Sequence, residues 1–182
     1  MDFYSLLFTQ KLSGGGGSDD QNDAFKFLVN RITTKVTAEM LEGITSIGYG
    51  AFSRCSALTS VAIPSGVTSI GNSAFSNCSA LTSVTIPSGV TSIGNSAFES
   101  CNALASVTIS EGATYIGNYA FNYCSSLTSV TVRATTPPTL GYNAFGSTST
   151  TAIIYVPAAS VDTYKAATNW STYASKIQAM TS

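Results

Sequence analysis

The chain has 182 residues, of which 44% are hydrophobic and only 9% are charged, with a formal net charge of -1. That length and apolar content suit one domain with a real core, and such a balance offers no field that would draw nucleic acid or an anionic membrane. Histidine is absent and the nine Asp and Glu residues are scattered, so imidazole-dependent catalysis is excluded and no acid pair or metal-ligand cluster stands out. The chain therefore reads as a protein that is not an enzyme and carries neither cofactor nor metal.

Residues 1–12 form a short amphipathic stretch in which Tyr4, Leu7, Phe8 and Lys11 share helical spacing. Residues 13–18, "SGGGGS", cannot hold a regular element and read as a flexible linker. The first 12 residues are thus tethered rather than integrated. Four large apolar side chains on so short a piece, Phe3, Leu6, Leu7 and Phe8, suit a docking peptide that another surface buries. No secretion signal is recognisable in this stretch, and no apolar run approaches the ~20 residues of a membrane span. Residues 19–43 follow as an N-terminal cap and entry. Acidic residues open the helix predicted over 19–32, and Phe25, Leu28, Val29 and Ile32 line one face.

From Ile44 to Pro157 the chain repeats itself. Cys55, Cys78, Cys101 and Cys124 are spaced 23 residues apart, and Leu, Val, Phe and Ile-Gly positions keep the same period. An unbroken period of this length is the signature of a solenoid. Within "LTSVTIP", Leu81, Val84 and Ile86 face the core while Ser83 and Thr85 face outward, and stacked copies form a parallel ladder. "GNSAFES" is long enough for one helical turn that sends Phe98 inward. One coil cannot bury enough surface to fold alone; each copy is the surface on which the next one folds. The fourth coil carries one extra residue in "RATTPPTLGYNAF", and "TAIIYVP" supplies a last strand. Residues 158–182 close the solenoid as a helical cap, with Val161, Tyr164, Trp170, Tyr173 and Ile177 on its apolar faces and Asn169 able to cap its second half. The fold class is a β-rich repeat solenoid with a parallel β-ladder, short helical turns and helical caps at both ends.

The pattern Leu81-x-x-Val84-x-Ile86-Pro87-x-x-Val90-x-x-Ile93-Gly94-x-x-Ala97-Phe98-x-x-Cys101 resembles the BspA-like leucine-rich repeat of bacterial surface proteins. The resemblance covers roughly residues 40–180 and extends to the closing segment. It implies a binding or display role, with protein or glycan on a cell surface as partner. The leader and its polyglycine hinge are similar to those of virion-attached fibre and decoration proteins of phages, which implies attachment to a virion or envelope scaffold, and a structural decoration role is the alternative.

Three sets of residues compete as sites. The cysteines lack the close spacing of zinc or redox pairs and read as small buried hydrophobes, with disulfides between adjacent coils as the alternative. The outward strand positions, Ser83, Thr85, Ser106, Thr108, Ser129 and Thr131, form a flat hydroxyl face that a partner could use, although it holds no aromatic or Arg anchor. Tyr115, Tyr119 and Tyr123 stand where the preceding coil has Ser92, Ser96 and Ser100, with Tyr49 and Tyr142 at related places. Tyrosine can pack with one end and hydrogen-bond with the other, so these three are the favoured partner-binding residues. Near-zero net charge favours self-association, which makes a homo-oligomer a further expectation.

Overall fold

The computed structural model describes residues 34–181; the leader, the linker and the helix predicted over 19–32 lie outside the described residues. Each repeat forms one coil with two strands, one for each of two parallel sheets. The larger sheet has seven strands: β1 (Lys35–Val36), β3 (Ser60–Val61), β5 (Ser83–Ile86), β7 (Ser106–Ile109), β9 (Ser129–Val132), β11 (Ile153–Val156) and β12 (Ile177–Ala179), hydrogen-bonded in that order. Its register follows the repeat, with Val84 beside Val107 and Val107 beside Val130. The second sheet runs β2 (Ser46–Ile47), β4 (Ser69–Ile70), β6 (Ser92–Ile93), β8 (Tyr115–Ile116) and β10 (Thr139–Leu140). The ladder begins at Lys35, upstream of the point where the period becomes recognisable in the sequence. The segments expected to form helical turns are hydrogen-bonded turns instead, such as Ala97 N–H to Gly94 O and Glu99 N–H to Ser96 O.

Burial converts the period into columns. Phe52, Phe75, Phe98, Phe121 and Phe145 stack with ring centroids 5.0, 5.0, 5.1 and 5.4 Å apart and nearly parallel planes. The four cysteines are free and buried. Each thiol from Cys78 onward donates to the carbonyl of a phenylalanine one coil back, Cys78 to Phe52 O at 3.1 Å, Cys101 to Phe75 O and Cys124 to Phe98 O at 3.2 Å. Burial pushes the Cys78 thiol well above its usual range; contact with Cys124, followed by burial, does the same for Cys101. These thiols are kept protonated and away from solvent, the opposite of what a nucleophile needs.

Polar repeats carry coil-to-coil bonds as well. Asn95 N–H donates to Asn72 Oδ1 at 2.8 Å, Asn118 N–H to Asn95 Oδ1 at 2.8 Å, and Tyr142 N–H to Asn118 Oδ1 at 2.7 Å. Thr68, Thr91 and Thr114 each donate a hydroxyl to a carbonyl of the coil before. Gly50 takes a left-handed angle, at φ 59°, but Gly89 and Gly94 are needed for a different reason. A Cβ on Gly94 would lie 2.6 Å from the Asn72 backbone nitrogen, and one on Gly89 would meet Ser65 O, so both are required by the close approach of successive coils. The left-handed positions fall elsewhere: Ser73, Ser96, Tyr119 and Asn143 in one column, and Arg54, Asn77, Ser100, Tyr123 and Ser147 in another.

The C-terminal segment closes the core, though not wholly as helices. A 3-10 turn (Ala158–Ser160), the helix α1 (Val161–Ala166) and a second 3-10 stretch (Trp170–Lys176) lead into β12. Ile177, expected on a helical face, is instead the buried residue of that strand, paired with Ile154. Trp170 Nε1 donates to Pro138 O at 2.8 Å and Tyr164 Oη to Ala134 O at 2.7 Å. Asn169 makes no helix cap; at φ 65° its side chain donates to Leu140 O at 2.6 Å. The cap thus satisfies the edge of the second sheet with side chains and extends the first sheet with a strand.

Candidate functional site

The larger sheet presents two outward rows along the solenoid. One runs Lys35, Ser60, Ser83, Ser106, Ser129, Ile153, and the other Thr85, Thr108, Thr131, Tyr155, Gln178, each residue beside its counterpart in the next strand. Ser83, Thr85 and Ser106 are exposed, and Thr108, Ser129 and Thr131 are half-buried. The hydroxyl face expected from strand alternation is present. It is not without anchors, however. Past Thr131 the outward position is Arg133, which is exposed, and the threonine row continues into Tyr155. The consensus coils do not display them, because both residues belong to coils that depart from consensus. The pairing of Tyr155 with Thr131, 24 residues apart across the insertion, was the available signal.

The tyrosines lie along the other edge of the coils. The exposed large hydrophobic residues among those described are all tyrosines: Tyr49, Tyr115, Tyr119, Tyr123 and Tyr142. Tyr115 sits on β8 in the outward row Ser46, Ser69, Ser92, Tyr115, Thr139. Tyr119 and Tyr142 meet edge to face, with centroids 5.7 Å apart and planes at 82°. Tyr123 stands further along the turn, where its N–H donates to Gly146 O at 3.1 Å. The structure therefore joins Tyr119 to Tyr142 directly and leaves Tyr115 and Tyr123 as separate exposed rings. Tyr119 and Tyr123 both have φ 57°. Left-handed backbone costs a non-glycine residue roughly 1–2 kcal/mol and is least tolerated by bulky side chains. Equivalent positions elsewhere hold Gly50, Ser73, Ser96 and Asn143, or Arg54, Asn77, Ser100 and Ser147.

Among the described residues, no cluster of three or more His, Cys, Asp or Glu could hold a metal, and no helix is long and apolar enough to cross a membrane. The anchoring residues Phe3, Leu6, Leu7 and Phe8 lie outside the described residues.

Coils of near-constant length, stacked through two parallel ladders around columns of Phe, Cys, Leu and Ile, define a leucine-rich repeat solenoid. The chain belongs to the family described as the BspA type leucine rich repeat region, whose model matches residues 24–167 in six copies. It is similar to a leucine-rich cell surface protein from Faecalibacterium prausnitzii A2-165, at 27% identity and TM-score 0.44, over 67% of this chain and 40% of that one. It is also similar to a leucine-rich repeat protein from Bacteroides ovatus ATCC 8483, at 25% identity and TM-score 0.43, over 69% of this chain and 45% of that one. The chain thus spans less than half the length of either structure. No curated protein matches it.

Proposed function

We propose that the protein is a non-catalytic binding module displayed on a surface, and that the tyrosine-bearing edge of its coils is the recognition surface. The observation that carries this reading is the placement of Tyr119 and Tyr123. Two exposed aromatic rings occupy left-handed positions that the other coils give to glycine or to small or polar residues, apart from Arg54. Strain held in an exposed aromatic without compensating burial is a mark of selection for what the ring contacts. The family and the cell-surface protein it resembles support a setting on a bacterial envelope, with protein or glycan as partner.

The test replaces Tyr115, Tyr119 and Tyr123 with Ser, the residue of the preceding coil at each place. The expected result is a melting temperature close to the parent's, because serine already holds the same left-handed positions in the preceding coil, together with at least a tenfold loss of binding to the bacterial cells that the parent binds. Unchanged binding with a lowered melting temperature makes the tyrosines packing residues and removes the proposal.

Attachment is assigned to the leader. Phe3, Leu6, Leu7 and Phe8 precede the glycine run of "SGGGGS" in the sequence, and burying them against a virion or envelope scaffold would release roughly 1.5–3 kcal/mol each before the loss from ordering. Deletion of residues 1–17 is expected to leave the melting temperature unchanged while abolishing co-sedimentation with purified particles or envelopes. A drop of many degrees would make the leader part of the fold.

A further inference from the structure

The tyrosine edge leaves the larger sheet without a role, and the last coils of that sheet carry the chemistry its consensus coils lack. Ser129, Thr131, Arg133, Tyr155, Gln178 and Met180 line a shallow groove of about 460 Å³ across β9, β11 and β12. Arg133 follows directly on β9, held in register by its N–H bond to Ile109 O at 2.9 Å. Its guanidinium makes no ion pair or hydrogen bond with another described residue, and none of the described residues that line the groove carries a carboxylate. The groove therefore holds one positive charge with no partner among the described residues, a half-buried phenol ring, an amide and the three aliphatic hydroxyls of Ser129, Thr131 and Thr181.

We propose that this groove binds a uronate unit of a linear acidic glycan. Charge complementarity calls for a carboxylate, which a planar guanidinium can hold with two parallel hydrogen bonds. The Tyr155 ring offers a flat apolar face for a sugar, whose own hydroxyls then reach Ser129, Thr131 and Gln178. The groove has no deep apolar hole of the kind that anchors a peptide side chain. Beyond it the serine and threonine rows run on across β7 and β5, one hydroxyl pair per strand at ~4.8 Å spacing. An extended glycan advances about one ring per such step, so a chain lying across the strands meets a fresh pair of hydroxyls with each sugar. The acidic unit sets the register at the Arg133 end and the neutral track extends the contact.

The experiment is titration calorimetry of the full chain with tetragalacturonate and a hyaluronan tetrasaccharide. Fully methyl-esterified tetragalacturonate and tetraglutamate serve as neutral-sugar and acidic-peptide controls. Binding to at least one uronate probe is expected, weakening as salt rises, with both controls at least about tenfold poorer. Arg133→Gln should lose at least about tenfold in affinity. Tyr155→Thr, which restores the residue of the neighbouring coils, should lose a comparable factor, and melting curves would verify that both variants fold. The triple Tyr-to-Ser variant at 115, 119 and 123 should bind the uronate as the parent does, which separates this site from the tyrosine edge. No binding to either uronate, undiminished binding by Arg133→Gln, or equal binding of tetraglutamate overturns the proposal.

Discussion

Phe98→Ala should be among the most damaging single substitutions in the solenoid. Phe98 is fully buried, with Phe75 at 5.0 Å on one side and Phe121 at 5.1 Å on the other, and its ring lies almost parallel to both. Truncation removes the ring's transfer free energy and leaves a cavity that two rigid neighbours cannot collapse into. Such losses run to about 3–5 kcal/mol, against a total stability of about 5–15 kcal/mol for a typical domain. For a chain of this size that corresponds to a fall of roughly 6–20 °C in melting temperature. The damage spreads because each coil is folded on its neighbours, so weakening a central coil undercuts both flanks. Phe98→Leu, which keeps most of the volume, should lose clearly less. Melting followed by far-ultraviolet circular dichroism checks both, and a loss below about 1 kcal/mol for the alanine variant would show that the ring column contributes little.

The phenylalanine column is legible in the sequence because its period is exposed in the chain: Phe75, Phe98 and Phe121 recur with their flanking Ala and Cys. The same holds for the cysteines and for the alternation in "SVTI". Other features left weaker traces. The strands of the second sheet are two residues long, below the four to eight residues over which alternation can be recognised, so "SI" carries no strand signal of its own. Sequence does not distinguish a glycine needed for unusual backbone angles from one needed for close approach. The structure assigns close approach to Gly94 and the left-handed angle to Ser96, two residues on. Ile177 continued the helical spacing of Trp170 and Tyr173, yet the open edge of β11 captured it as a strand, a tertiary effect that local spacing does not encode.

The candidate sites divide along the same line. Tyr115, Tyr119 and Tyr123 were visible as departures from a consensus, and their exposure is consistent with that reading. Tyr155 was not, since an insertion shifts the register by one residue before β11 and hides its place in the threonine row, and Arg133, which precedes the insertion and keeps the 23-residue register, stands where the preceding coil has Ser110. Where a repeat is nearly exact, its chemistry is concentrated in the coils that break it.

Trp170→Ala should match Phe98→Ala in its effect on stability and add a second effect, association. The Trp170 ring is fully buried, 4.9 Å from Tyr164 and 5.9 Å from Phe145, the last ring of the phenylalanine column. Its indole N–H satisfies Pro138 O at 2.8 Å. Alanine leaves a cavity at the end of the column and a buried carbonyl without its donor, for a loss of about 3–5 kcal/mol from the cavity and about 1–3 kcal/mol from the unpaired group, less than additive in sum. Trp170→Phe keeps one aromatic ring in the site but loses the pyrrole half of the indole with its donor, so it leaves a smaller cavity and should lose clearly less than the alanine variant. The association follows from what the cap covers. Asn169 and Trp170 hold the segment that bonds the carbonyls of Pro138 and Leu140, at the open edge of the second sheet. Loosening that segment leaves β10 as an uncovered edge on a protein with almost no net charge, two conditions that favour strand-to-strand pairing between copies. Size-exclusion chromatography should therefore show Trp170→Ala moving to larger species at concentrations where the parent and Trp170→Phe stay at their original size. A variant that melts early but elutes unchanged would mean that the cap stabilises the last coil without shielding its edge.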